Sequence, residues 1–108
     1  FGSRVGRAVA SGEAELGVAC CGSGQGISMS VNKVPGARGA VIHYPLEAEM
    51  TRRHNNANVA CFGERFTTEF VAQRSLEVFL ATPFDGGRHT HRVDQLTLLD
   101  ETHGKADI

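Results

Sequence analysis

Three short apolar runs, each closed by a glycine or a turn and each followed by a longer amphipathic stretch, constrain this chain more than any other feature. Leu16-Gly17-Val18-Ala19-Cys20-Cys21 leads into Gly22-Ser23-Gly24-Gln25-Gly26. Gly39-Ala40-Val41-Ile42-His43 is the second run, and Asn58-Val59-Ala60-Cys61-Phe62, ended by Gly63, is the third. Apolar runs this short, without strict alternation, suit strands covered on both faces, which is the environment of a parallel sheet.

The stretches between them read as helices. The first spans 3–11, with Val5, Ala8 and Val9 on one face and Ser11-Gly12 as its stop. The second spans 27–34 and ends at Pro35-Gly36, and the third spans 46–55 with Pro45 suited to its first turn. Thr67 or Thr68 caps a fourth, with Glu69 in the first turn and Phe70, Val71, Leu76, Val78, Phe79 and Leu80 as its apolar stripe. A last helix is expected from about Arg88 to Thr102, with Val93, Leu96 and Leu99 on one face, and the tail from Gly104 to Ile108 is expected to fray. Alternating strands and helices imply β-α-β units, hence an α/β fold of three layers, α/β/α, around a parallel sheet. At 108 residues the chain is a single domain, 1–108. Its opening helix has no strand before it, and its first residue is Phe1 rather than an initiator methionine. Both lead us to expect that N-terminal strands of the sheet are missing from this chain.

Composition narrows the function classes. A net charge of −1 argues against a nucleic-acid or anionic-membrane binder, and no apolar run approaches a membrane span. Three cysteines, two of them adjacent, do not make a disulfide framework, so a reducing, cytoplasmic setting with free thiols is expected.

Chemistry concentrates in a few places. Cys21-Gly22-Ser23-Gly24-Gln25-Gly26 sits where a strand ends and a helix opens, the edge at which open α/β sheets take ligands. Its glycines let backbone N–H groups turn toward an anion, and the helix N-terminus adds partial positive charge. The spacing fits neither the dinucleotide fingerprint nor a P-loop, so the segment is either a phosphate or oxyanion cradle or a tight structural turn. A thiol at such a place has a lowered pKa and can serve as nucleophile or base, although a small buried cysteine is the blander reading for Cys21. Cys20 is expected to face the other side of the strand. His54 and Asn55 end the third helix, as a simple C-terminal cap or as residues near the ligand edge of the sheet. Arg88 and Arg92, four apart, are expected on one helix face, either clamping a phosphate or merely solvated. His89, His91 and His103 are too weak a set to argue for zinc.

Taken together, GVACCGSGQGISMSVNKVPGARGAVIH (17–43), RRHNNANVACFGERF (52–66) and FLATPFDGGRHTHRV (79–93) resemble the ribose-5-phosphate isomerase B family, which includes the galactose-6-phosphate isomerase subunits. The resemblance covers most of the chain and implies a Rossmann-like fold. It also implies aldose–ketose isomerisation of a phosphorylated sugar, ribose 5-phosphate first among them, without metal or other cofactor. On this reading Cys21 is the base that moves the proton between C1 and C2, and Ser23, where the family usually has Thr, assists at the reacting oxygens. The backbone of Gly22, Gly24 and Gly26 holds the oxyanion, His54 opens the sugar ring, and Asn55 binds substrate. Arg65, Arg88 and Arg92 hold the phosphate. The resemblance further implies a homodimer or homotetramer with the site at the subunit interface. The family's opening strand with Asp-His, and the Tyr that follows, have no counterpart in these residues. A non-catalytic sugar-phosphate-binding subunit is therefore the competing reading, and a flavodoxin-like nucleotide binder is the least favoured.

Overall fold

The structure, a computed structural model, describes all 108 residues. Five helices and three strands alternate: α1 (Gly2–Ala10), β1 (Gly17–Cys21), α2 (Gln25–Asn32), β2 (Gly39–Val41), α3 (Pro45–Asn55), β3 (Val59–Gly63), α4 (Glu69–Ala81) and α5 (Thr90–Glu101). All pairings are parallel, in the order β1-β3-β2. The expected elements are therefore present, with ends displaced by one or two residues. No helix is long and apolar enough to cross a membrane.

β3 lies between the other two strands and is buried throughout. Its successive side chains serve opposite faces. Val59 and Cys61 join Val9, Ala19, Val31 and Ala37 beneath α1 and α2, while Ala60 and Phe62 join Ile42, Ala48, Ala57 and Phe79 beneath α3 and α4. The three-layer α/β/α arrangement follows from this alternation. β1 corrects one expectation. It is an edge strand, with Ala19 buried but Val18 and Cys20 exposed, because α3 and α4 cover β2 and β3 and stop short of it.

Two further differences have local causes. α2 starts at Gln25 rather than Ile27, because Gly24 takes φ 80° as the N-cap and turns the chain directly into the helix. The last helix starts at Thr90, since Gly86 and Gly87, both at positive φ, give first a single 3-10 turn over Gly87–His89. Arg88 is therefore on that turn and Arg92 on α5, and both reach the ring of His89. α5 runs along the amino edge of the sheet and ends where the Asp100 carboxylate accepts from the Gly36 N–H at 2.8 Å. Of its expected stripe only Val93 is buried, and Leu96 is 40% exposed. The tail does not simply fray. The N–H of Gly104 donates to the Leu99 carbonyl at 2.8 Å, and that of Ala106 to the Thr102 hydroxyl at 3.0 Å.

Each edge of the sheet is pinned by one tight feature. At the amino edge buried Asn58 accepts from the Arg38 N–H at 2.6 Å and donates to the Gly36 carbonyl at 3.0 Å, while its own carbonyl receives the Gly17 N–H at 2.9 Å. One residue thus aligns the starts of all three strands. At the carboxyl edge the Ser23 backbone runs directly over Gly63. A Cβ on Gly63 would overlap the Ser23 carbonyl and come within 2.8 Å of its Cα. Gly63→Ala is expected to cost about 3 kcal/mol or more of stability, because backbone rather than a flexible side chain must move. Gly26→Ala, with nothing within 4 Å of the new methyl group, is expected to be neutral or stabilising by up to about 1 kcal/mol from helix propensity. Denaturant midpoints of the two variants check this, and equal midpoints would contradict the close approach.

Candidate functional site

The residues singled out from sequence gather into two clusters. The first lies at the carboxyl edge. Cys21 is the last residue of β1 and pairs in register with Gly63, so its side chain emerges where α2 begins. The Gly24 N–H donates to Cys21 Sγ at 3.1 Å. The Gln25 N–H donates to the Ser23 hydroxyl at 3.2 Å, which orders the same turn. The Ile27 N–H holds the Cys21 thiol below its ordinary pKa. Partial burial opposes this, and the N–H groups of Gly24 and Ser23 and the Ser23 hydroxyl reinforce it. Cys61, on the central strand, is the contrast: burial pushes its thiol up to about 11.

Arg65 belongs to this cluster. Its N–H donates to the Gly22 carbonyl at 3.0 Å, and its guanidinium lies over Gly22, where an added Cβ would sit 3.2 Å from Cζ. The edge thus combines a thiol of raised acidity, a loop of inward-turned N–H groups and a nearby cation. Around it stands an apolar rim contributed by the starts of α3 and α4: Tyr44, Leu46, Phe66 and Phe70 are each at least half exposed.

The second cluster lies at the opposite edge, which corrects the expectation for His54. A helix that follows a strand in a parallel sheet runs back to the sheet's amino edge, so the end of α3 sits at the start of β3. With a five-residue strand rising about 3.3 Å per residue, on the order of 15 Å separates the levels of His54 and Cys21 within one chain. Asn55 parts from its neighbour as well. It lines a groove of about 400 Å³ with Arg38, Leu96, Leu99 and Asp100.

His54 is held in place by residues that follow α4. Its ring stacks on His89 with centroids 4.3 Å apart and planes inclined by 16°. Arg92 donates through one terminal nitrogen to the His54 carbonyl at 2.5 Å and to His89 Nδ1 at 3.0 Å. That nitrogen carries two protons, so both are spent, and the rest of the Arg92 fork is left for an anion. The other ring nitrogen of His89, Nε2, lies 3.5 Å from Arg88 Nε, which donates toward it. Burial first, then the neighbouring His54, Arg88 and Arg92, hold His89 below the ordinary histidine pKa, with Asp85 opposing.

The segment is tied back to α3 by Arg53, which pairs with Asp85 at 3.1 Å and Glu49 at 2.9 Å, and by Arg52, which donates to the Thr82 carbonyl at 3.0 Å. His89, Asp85 and Arg53 were not expected from sequence as parts of the site. The only signal was a histidine set among basic residues in Arg88-His89-Thr90-His91-Arg92. The donor atoms of His54, Asp85 and His89 lie within 4.8 Å of one another. They do not suit a cation, since stacked rings point their lone pairs in parallel directions and Arg53 and Arg92 already engage Asp85 and His89.

A parallel α/β protein with a thiol in a backbone cradle at the carboxyl edge of its sheet, and a histidine–arginine cluster at the other, is the class defined by these features. The chain belongs to the ribose/galactose isomerase family, whose sequence profile matches residues 1–96. It is similar to ribose-5-phosphate isomerase B of Escherichia coli, 38% identical over 101 residues, which covers 94% of this chain and 68% of the relative. It is also similar to galactose-6-phosphate isomerase subunit LacB of Clostridium acetobutylicum, 42% identical over 84 residues, 78% of this chain and 49% of the relative. Among solved structures, type B ribose 5-phosphate isomerase from Trypanosoma cruzi superposes with a TM-score of 0.93 at 45% identity, over 95% of this chain and 69% of that one. The chain thus spans about half to two thirds of the length of these curated relatives.

The difference between the thiols can be measured directly. Because thiolate is the reacting form, a lowered pKa means that Cys21 alkylation rises at a lower pH than that of an ordinary cysteine. Iodoacetamide labelling mapped by mass spectrometry across pH 6–10 is expected to modify Cys21 early and to leave Cys61 unlabelled until the protein unfolds. Labelling of Cys61 ahead of Cys21 would contradict the assignment.

Proposed function

We propose that the protein is a sugar-phosphate aldose–ketose isomerase, with ribose 5-phosphate and ribulose 5-phosphate as the leading substrate pair. The observation that carries this reading is the Cys21 thiol, made acidic by backbone N–H groups at the carboxyl edge of the sheet. Cys21 thiolate takes the proton from C2 of the open-chain aldose and returns it to C1, while a proton passes from O2 to O1. The charge that grows on oxygen in the enediolate is met by N–H groups of the Gly22–Gly26 loop, fixed before the reaction begins. A base whose pKa lies near the working pH suits a transfer that must run in both directions. Ser23 assists at the reacting oxygens and Asn55 binds substrate.

The two clusters serve one reaction if they meet across two chains. The carboxyl edge offers the Cys21 thiol, an arginine and an apolar rim, and the amino edge offers His54, Arg88 and Arg92. Docking the amino edge of a second copy on the rim of Tyr44, Leu46, Phe66 and Phe70 covers apolar surface and completes the site. In such a dimer or tetramer His54 opens the ring, and Arg65 of one chain joins Arg88 and Arg92 of the other on the phosphate. Remote phosphate binding of this kind positions a small substrate. The competing reading is a sugar-phosphate-binding subunit without turnover.

Two experiments separate these readings. Cys21→Ala is expected to lower kcat by about 10³-fold with the fold intact, whereas Cys20→Ala loses little. Mixing Cys21→Ala with His54→Ala under subunit exchange is expected to restore about a quarter of wild-type activity, because half the dimers are mixed and each of those has one complete site. No recovery despite exchange would mean that each site is built within one chain, and an inactive wild type would favour the binding subunit. Separately, Arg88→Ala and Arg92→Ala are each expected to raise KM for a phosphorylated sugar about tenfold or more, through loss of a charge-assisted hydrogen bond. Unchanged KM in both would return the arginines to a solvated surface.

A further inference from the structure

We infer that His89 is the positioning residue for His54, holding its imidazole in the orientation that ring opening requires. The inference rests on the isomerase reading above and adds a role that the sequence resemblance did not include. His54 is only half buried and sits in the last turn of α3, where a side chain would otherwise sample several rotamers. What fixes it comes from more than thirty residues away in sequence. His89, buried on the 3-10 turn before α5, lies flat against the His54 ring at 4.3 Å. Arg92 then joins His89 Nδ1 and the His54 carbonyl through a single nitrogen, so ring and backbone are bracketed together. Neutral His89 has one ring nitrogen that accepts from Arg92, and the stack has no like-charge repulsion from its lower member. The same neighbours that favour this neutral form, Arg88 and Arg92, are the cations proposed to hold the phosphate.

The two steps of the proposed reaction make this testable. Ribose 5-phosphate closes a furanose ring and must be opened before its proton can move. Erythrose 4-phosphate cannot close such a ring, because its O4 carries the phosphate, yet it presents the same aldehyde and the same anion. His89→Ala is expected to lower kcat on ribose 5-phosphate by about 30-fold, since misplacing a proton-transfer group costs up to about 10² in rate. On erythrose 4-phosphate the loss is expected to stay below about threefold, because the Cys21 step is untouched. His89→Phe, which keeps the stack, is expected to recover most of the loss. In proton NMR the ring-current shift of the His54 ring protons should vanish in His89→Ala and persist in His89→Phe. Equal losses on the two sugars, or none, would overturn the positioning role, and so would a His54 ring shift that ignores residue 89. A wild type inactive on both sugars would overturn the isomerase reading itself, and this inference with it.

Discussion

The close passage of the Ser23 backbone over Gly63 sets the geometry of the carboxyl edge. A side chain at residue 63 would push the loop away from the end of β3, and the Gly24 N–H could not then reach the thiol of Cys21 at 3.1 Å. The acidity of that thiol, the early start of α2 at Gln25 and the seat of Arg65 over Gly22 all depend on the same contact. A loop free to move would let water replace the N–H donors, and the preference for thiolate would fall with them. Electrostatic preorganisation of this sort is worth most where the donors need not rearrange as charge develops.

The amino edge is built by different means. Asn58 aligns the three strand starts, while Arg52 and Arg53 fasten the segment after α4 to the end of α3. That fastening brings His89 and Arg92 beside His54. Sheet polarity keeps this cluster a strand's length from Cys21, and no relaxation of side chains can close such a gap. The proposed shared site spans this gap by drawing on two chains, with the exposed side chains of Tyr44, Phe66 and Phe70 as the surface that a second copy would cover.

Much of this was legible in residues 1–108. Continuous apolar runs ended by glycine located the strands, and Pro45, Thr68 and Pro35-Gly36 marked helix limits through fixed φ, side-chain capping and loss of a donor. The Cys21 loop was legible as a cradle because glycine spacing and strand-to-helix position are local properties. Less legible were the edge position of β1, which left Val18 and Cys20 exposed, and the 3-10 turn over Gly87–His89, which carries Arg88 just ahead of the last helix. Both depend on what neighbouring elements cover and on backbone angles that only glycine can adopt.

Sequence alone determined the family, the α/β alternation and the identity of the acidic thiol's surroundings, because each rests on residues near one another in the chain. Tertiary structure decided which edge of the sheet each candidate occupies. His54 was expected at or near the ligand edge and stands at the opposite one, since a helix that joins parallel strands returns to the amino edge of the sheet. It also decided that His89, a residue with no distinctive spacing, stacks on His54 and shares Arg92 with it. Contacts across thirty-five positions arise from packing of α3 against the segment after α4, and packing is a property of the folded chain rather than of any window along it.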